Sequence, residues 1–223
     1  MRSAESRPAA IPVYDELLKR DRSWAMDEGD RHFQGEDSVF KALRKLAARL
    51  EAIGVSYAVA GGMALQAHGF RRLTVDVDVL VSREGLKTIH AKLEGPGYVP
   101  PFTGSKNLRD AEYGVRVEFL IAGEFPGDGK PKPVAFPDPG EVGVLIDGVR
   151  YLNLPGLVEL KIASGMTNLG RLKDLADVQE LIKAAGLSAD FAVELNPYVR
   201  DRYLELWRGV HDAPVGPVEP WPA

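Results

Sequence analysis

Asp76 and Asp78, two residues apart in the run Thr74-Val75-Asp76-Val77-Asp78-Val79-Leu80-Val81, are the residues of this chain best suited to chemistry. Side chains alternate across a strand, so the two carboxylates are expected on one face and Val75, Val77, Val79 and Val81 on the other. Two like charges aimed at one spot in an apolar strand are costly unless a cation sits between them, and a divalent cation is the usual solution. Upstream, Ser56-Tyr57-Ala58-Val59-Ala60 reads as a short buried strand that runs into Gly61-Gly62 and a helix-like Met63 to Gly69. Two residues without Cβ let a triphosphate approach the backbone, and free N–H groups at a helix start favour anionic oxygens. A third carboxylate, Glu118, lies in Val115-Arg116-Val117-Glu118-Phe119-Leu120-Ile121, where alternation puts Arg116 beside it and the apolar residues opposite. A plainer reading stands beside this one: the aspartates as the wet face of a strand, and Glu118 as the partner of Arg116 or of a cross-strand lysine.

In this order the motifs resemble those of the nucleotidyltransferase superfamily that includes DNA polymerase β. Its pattern is a hydrophobic residue with Gly-Gly or Gly-Ser, then Asp-x-Asp, then a later strand with one acid between apolar neighbours. Ala60-Gly61-Gly62, Asp76-Val77-Asp78 and Val117-Glu118-Phe119 match it residue by residue. Gly62 stands where other members carry serine, so contact with phosphate there would be through the backbone alone. Leu157 to Gly165, followed by Arg171 to Asp177, is similar to the C-terminal helices of the AbiEii-type (abortive-infection toxin) nucleotidyltransferases, so that the chain as a whole resembles the AbiEii-type toxin or minimal nucleotidyltransferase family.

The resemblance implies transfer of a nucleoside monophosphate from a triphosphate to an acceptor hydroxyl, with two magnesium ions as cofactors. Asp76, Asp78 and Glu118 would be both catalytic and metal-binding, with Gly61 and Gly62 at the nucleotide. Lys161 would reach the distal phosphates as a point charge, with Asp174 positioning the nucleotide or bracing Lys161. Arg72 joins the nucleotide-binding set, and Arg71, Arg171 and Lys173 are weaker candidates of the same kind. The acceptor would be RNA, as for the toxin of a toxin–antitoxin pair with its antitoxin protein as partner, or a small molecule such as an antibiotic. A non-catalytic nucleotide-binding or protein-interaction module is the alternative from another class.

These residues need a sheet with helices around it. The fold class expected is α/β (α+β): a nucleotidyltransferase fold with a short mixed sheet flanked by helices, followed by a helical C-terminal lobe, with the active site between them. The expected divisions are an N-terminal arm (1–35), a catalytic domain (36–150), the helical lobe (151–212) and a proline-rich tail (213–223). A helix over Val13 to Ala25 falls in the arm. Asp37 or Ser38 should cap a helix whose apolar residues, Val39, Phe40, Leu43, Leu46, Ala47 and Leu50, recur at helical spacing before Gly54. Arg83 to Leu93 reads as a helix and Tyr98 to Pro100 as a strand. The proline- and glycine-rich stretch from Gly123 to Gly140 reads as a long loop. Helices are expected over Pro155 to Ser164, Leu172 to Ala184 and Pro197 to Trp207.

At 223 residues, 45% hydrophobic and 27% charged, the composition is that of an ordinary globular protein. No apolar run is long enough to span a bilayer, and Met1 to Pro8 lacks the apolar core of a secretion signal; a cytoplasmic location is expected. The chain has no cysteine, which excludes disulfides and thiolate metal sites, and its four histidines are scattered without ligand spacing. A formal charge of −4 gives no global nucleic-acid footprint. Gly127-Asp128-Gly129-Lys130 lacks the spacing and hydroxyl of a P-loop, and Gly61-Gly62 lacks the third glycine of a dinucleotide fingerprint.

Overall fold

The structure, a computed structural model, describes residues 13–212. The proline-rich tail and the first residues of the N-terminal arm lie outside the described residues. The described chain forms two compact units, and they interleave in sequence: one takes residues up to 67, 71–123 and 136–153, the other 68–70, 124–135 and 154 onward.

The first unit is built on a mixed sheet of seven strands: β1 (Tyr57–Val59), β2 (Asp76–Val81), β3 (Tyr98–Val99), β4 (Leu108–Asp110), β5 (Arg116–Ile121), β6 (Gly143–Ile146) and β7 (Val149–Leu152). Their order is β3-β4-β5-β2-β1-β7-β6. β2 runs parallel to β5 and antiparallel to β1, while β7 runs parallel to β1. The fold class is therefore the mixed α/β arrangement expected, but the sheet is larger than the strands visible in the sequence. The helices of this unit are α1 (Tyr14–Arg20), α2 (Arg22–Gln34), α3 (Ser38–Ala52), α4 (Gly61–Ala67), α5 (Arg83–Leu93) and the short α6 (Pro139–Val142).

Asp37 caps α3 by accepting from the N–H of Phe40, and Val39, Ala42, Leu43, Leu46, Ala47 and Leu50 form its buried face. Its basic residues Lys41, Arg44 and Arg49 are exposed. The single N-terminal helix expected over Val13 to Ala25 is two helices, because Asp21 leaves helical geometry (φ −120°, ψ 98°) and caps α2 through Trp24. Nor do these helices project as an arm: Tyr14, Glu28 and His32 are buried in the first unit. Val75 also departs from expectation, being exposed and outside β2, whereas Val77, Val79 and Val81 are fully buried.

The second unit is helical, with α7 (Leu154–Thr167), α8 (Leu172–Ala185) and α9 (Pro197–His211), each longer at one or both ends than expected. Short 3-10 segments lie over Leu169–Arg171 and Ala189–Glu194. Its core includes Leu157, Val158, Ile162, Leu175, Val178, Leu181, Val199 and Tyr203. Within the loop expected over Gly123 to Gly140, residues 124–135 have no regular structure, whereas Pro139 and Gly140 open α6; Lys132 reaches Thr167 Oγ1 at the end of α7 (3.4 Å). The Lys132 ammonium donates to the Pro126 carbonyl (2.5 Å) and to Asp128 (2.5 Å), and the Asn168 amide donates to the Gly127 carbonyl (3.2 Å). Among the described residues no helix is long and apolar enough to cross a membrane.

Candidate active site

The acids of the first unit are brought together by one pairing. β2 and β5 run parallel in a register that sets Asp76 beside Arg116 and Asp78 beside Glu118. Burial alternates along both strands, so these four polar side chains share the more accessible face while Val77, Val79, Val117 and Phe119 fill the core. Asp78 thus stands next to Glu118 and two residues along from Asp76.

The turn after β1 closes onto the same face. The Ala60 N–H donates to the Asp78 carbonyl (2.9 Å), which fastens the end of β1 to the acidic strand. Gly61 follows at φ +58°, a left-handed conformation that favours glycine. A Cβ on Gly61 would lie 1.8 Å from Asp78 Oδ2, and one on Gly62 would lie 2.8 Å from Thr74 Cβ and Oγ1. The two glycines therefore make room for Asp78 and Thr74. Close approach of a phosphate accounts for neither missing Cβ; what the turn can still offer a phosphate is its backbone.

Each acid has partners. Thr74 Oγ1 donates to Asp76 Oδ1 at 2.9 Å, and the Arg116 guanidinium reaches Asp76 Oδ2 at 3.2 Å. The same guanidinium pairs through Nε with Glu118 Oε1 at 3.0 Å. Burial opposes the charge on Arg116, but Glu118 and Asp76 outweigh it and raise its pKa above the ordinary guanidinium value. Thr74 and Arg116 are thus parts of the site that the motif spacing did not assign. Alternation already put Arg116 beside Glu118; its reach to Asp76 depends on a strand pairing between residues 40 apart in sequence.

Among the described residues, no three acids or histidines are gathered tightly enough to hold a metal by themselves. The donor set still fits magnesium. That ion keeps several waters and takes one or two carboxylates plus phosphate oxygens rather than an all-protein cage. Asp76 and Asp78 provide hard oxygen donors on one face of one strand.

Arg72 lies in the segment between α4 and β2. Its side chain donates to the Leu73 carbonyl (3.2 Å), and its own carbonyl faces His32 Nε2 (3.0 Å). His32 is fully buried, with Nδ1 2.7 Å from Asp37 Oδ2. A carboxylate and a carbonyl are both acceptors, so the ring satisfies both only with a proton on each nitrogen. Burial lowers the His32 pKa, but the hydrogen bond and charge of Asp37 more than reverse this. His32 ties α2, the cap of α3 and the segment leading to Asp76 into one buried cluster.

Lys161 and Asp174 belong to the helical unit and meet each other there. The Lys161 ammonium donates to Asp174 Oδ1 (3.0 Å) and Asp177 Oδ2 (2.7 Å), and all three residues are buried. Ser164 Oγ donates to Asp174 Oδ2 at 2.7 Å, and Arg171 Nε reaches the same oxygen at 3.0 Å. Burial would raise the Asp174 pKa, but Lys161, Ser164 and Arg171 together hold it below the ordinary carboxylate value. Arg71 and Lys173 are exposed.

No family model matches this sequence, and no curated protein matches it. Two crystal structures resemble the chain in its path. One, from Thermotoga maritima, is described as a "putative nucleotidyltransferase": identity is 18%, 64% of this chain and 91% of that chain are covered, and the TM-score is 0.42. The other, from H. pylori and described in the same words, has 15% identity, covers 74% of this chain and 82% of that chain, and gives a TM-score of 0.39.

Proposed function

We propose that this chain is a magnesium-dependent nucleotidyltransferase, transferring a nucleoside monophosphate from a triphosphate to an acceptor hydroxyl. The observation that carries the reading is the shared face of β2 and β5, which carries Asp76, Asp78 and Glu118 beside the Gly61-Gly62 turn. Carboxylates side by side on a sheet repel one another, and Arg116 offsets part of that charge at Asp76 and Glu118. Such a face suits a ligand that arrives with positive charge of its own.

Asp76 and Asp78 would hold the magnesium, Thr74 keeping the Asp76 carboxylate turned to the site. When bound, the metal supplies Lewis-acid stabilisation of the charge that builds on the phosphate oxygens. Glu118, the neighbour of Asp78, would take the acceptor's proton as its oxygen attacks the α-phosphorus. The new bond is acceptor oxygen to phosphorus; the bond between the α-phosphorus and its bridging oxygen breaks, and pyrophosphate leaves with that electron pair. The backbone of the Gly61-Gly62 turn would position the triphosphate against this face. The acceptor is an RNA hydroxyl, as for a toxin neutralised by an antitoxin, or a hydroxyl of a small molecule such as an antibiotic.

The test is incubation of the purified protein and magnesium with each α-labelled triphosphate, with total cellular RNA and with hydroxyl-bearing small molecules including aminoglycosides. Label covalently joined to one acceptor class supports the reading and identifies that class. Retention of all label in nucleotide across the panel overturns it and leaves a binding module.

A further inference from the structure

Arg116 occupies an unusual place for a residue on an acidic face. Its guanidinium spans two strands, 3.2 Å from Asp76 on β2 and 3.0 Å from Glu118 on its own strand. It is a cation already paired with Asp76 and Glu118. Building on the function proposed above, we propose that Arg116 is the resident counter-ion of the site: it holds Asp76 and Glu118 until a divalent cation replaces it at Asp76. It is a positioning residue, acting through the two carboxylates.

Two physical consequences follow. A guanidinium that grips both carboxylates holds them in place, where two bare like charges would spread apart. A divalent cation approaching alone must displace this fork and leave a guanidinium without its carboxylate. A cation that arrives with a triphosphate brings phosphate oxygens, which can accept the fork that Asp76 releases. Arg116 therefore biases the site toward the metal–triphosphate complex and against the free ion. Arg109, its cross-strand neighbour on β4, does not take over this role, because its guanidinium is engaged by the Gly114 carbonyl (2.6 Å) and Asp15 (3.4 Å).

The experiment measures manganese binding to the full-length protein by electron paramagnetic resonance, for wild type, Arg116→Gln and Arg116→Lys, with and without a non-hydrolysable triphosphate. Circular dichroism and thermal melting accompany each variant. Wild type is expected to bind the free ion weakly and to gain affinity when triphosphate is added. Arg116→Gln should bind the free ion on the order of tenfold more tightly, since a charge a few ångströms from the metal is gone. Arg116→Lys should also bind it more tightly than wild type, because an ammonium is a point charge that cannot grip two carboxylates as a fork does. Should Arg116→Gln fail to fold, the lysine variant carries the comparison alone.

Equal free-ion affinity in all three proteins would overturn the role of Arg116 and leave the metal reading intact. A gain in the glutamine variant but none in the lysine variant would reduce Arg116 to net charge, which also overturns the proposal. Absence of manganese binding in every protein, with or without triphosphate, would overturn the magnesium reading itself and this inference with it.

Discussion

Asp78 fills the space that a side chain on Gly61 would need, and this contact adds to the left-handed backbone in calling for glycine at that position. Gly61→Ala should be destabilising by about 2 kcal/mol or more, from the left-handed backbone and the collision with the carboxylate. A thermal midpoint equal to that of wild type would mean that the turn and Asp78 are not packed as described. The acids themselves make a different prediction. Asp76→Asn and Asp78→Asn keep the shape of the side chain and remove its charge, so the protein should fold while transfer falls on the order of 100-fold or more. Transfer at the wild-type rate in either variant, measured with the same labelled triphosphate, would remove that residue from the machinery. At this scale the sequence was informative: period-2 alternation placed Asp76, Asp78, Arg116 and Glu118 on one face of their strands. Thr74 was not legible as a partner of Asp76, since its bond depends on the path of the chain just before β2.

Elements with a local signature were the ones the sequence disclosed. α3 has its Asp37 cap and a complete apolar stripe, and α5 runs from Arg83 to Leu93 as its pattern indicates. β6 and β7 were missed although Asp147-Gly148 between them is a hairpin turn, both residues at positive φ (47° and 79°). Their strands are four residues each: β6 offers only the apolar triplet Val144-Leu145-Ile146, largely exposed, and Arg150 interrupts the apolar residues of β7. β4 was missed for a similar reason, at three residues. Pairing itself was beyond reach: no local pattern tells that β2 lies between β1 and β5.

Two predictions belong to elements. His32 joins α2 to the cap of α3 and to the segment before β2, and its pKa is raised in the folded protein. A raised value means stability fully present below the ordinary histidine value of 6.5 and lost as pH climbs through the folded value. Wild type should therefore lose melting temperature relative to His32→Gln as pH rises from that point; parallel curves for the two proteins would show that the ring is not charged there. In the helical unit, Lys161 is the buried partner of two carboxylates. Lys161→Met would leave Asp174 and Asp177 without it, at a cost of about 3 kcal/mol or more. Chemical denaturation measures this, and an unchanged midpoint would return the lysine to a solvent-facing role. Asp174, held below its ordinary value, adds stability that is present above that value and disappears as pH falls through the folded one.

At the scale of the whole molecule, the expected linear division into catalytic domain and helical lobe is replaced by two units that exchange segments. Residues 68–70 and 124–135 belong with the helices, and 136–153 return to the sheet. The loop 124–135 was recognised from its prolines and glycines, yet its attachment was not, because the bonds of Lys132 and Asn168 that fix it join parts of the chain far apart in sequence. The acidic face lies wholly within the sheet unit, assembled from the turn after β1, β2 and β5. In the function proposed, this face binds a metal–triphosphate complex through Asp76 and Asp78. The most direct measurement is the hyperfine coupling between manganese, added as its complex with a non-hydrolysable triphosphate, and the carboxylate carbons of protein labelled with carbon-13 aspartate, compared in wild type and Asp78→Asn. Coupling is expected in wild type and should be lost in the variant; the same coupling in both proteins, or none in wild type, would mean that Asp78 does not hold the metal.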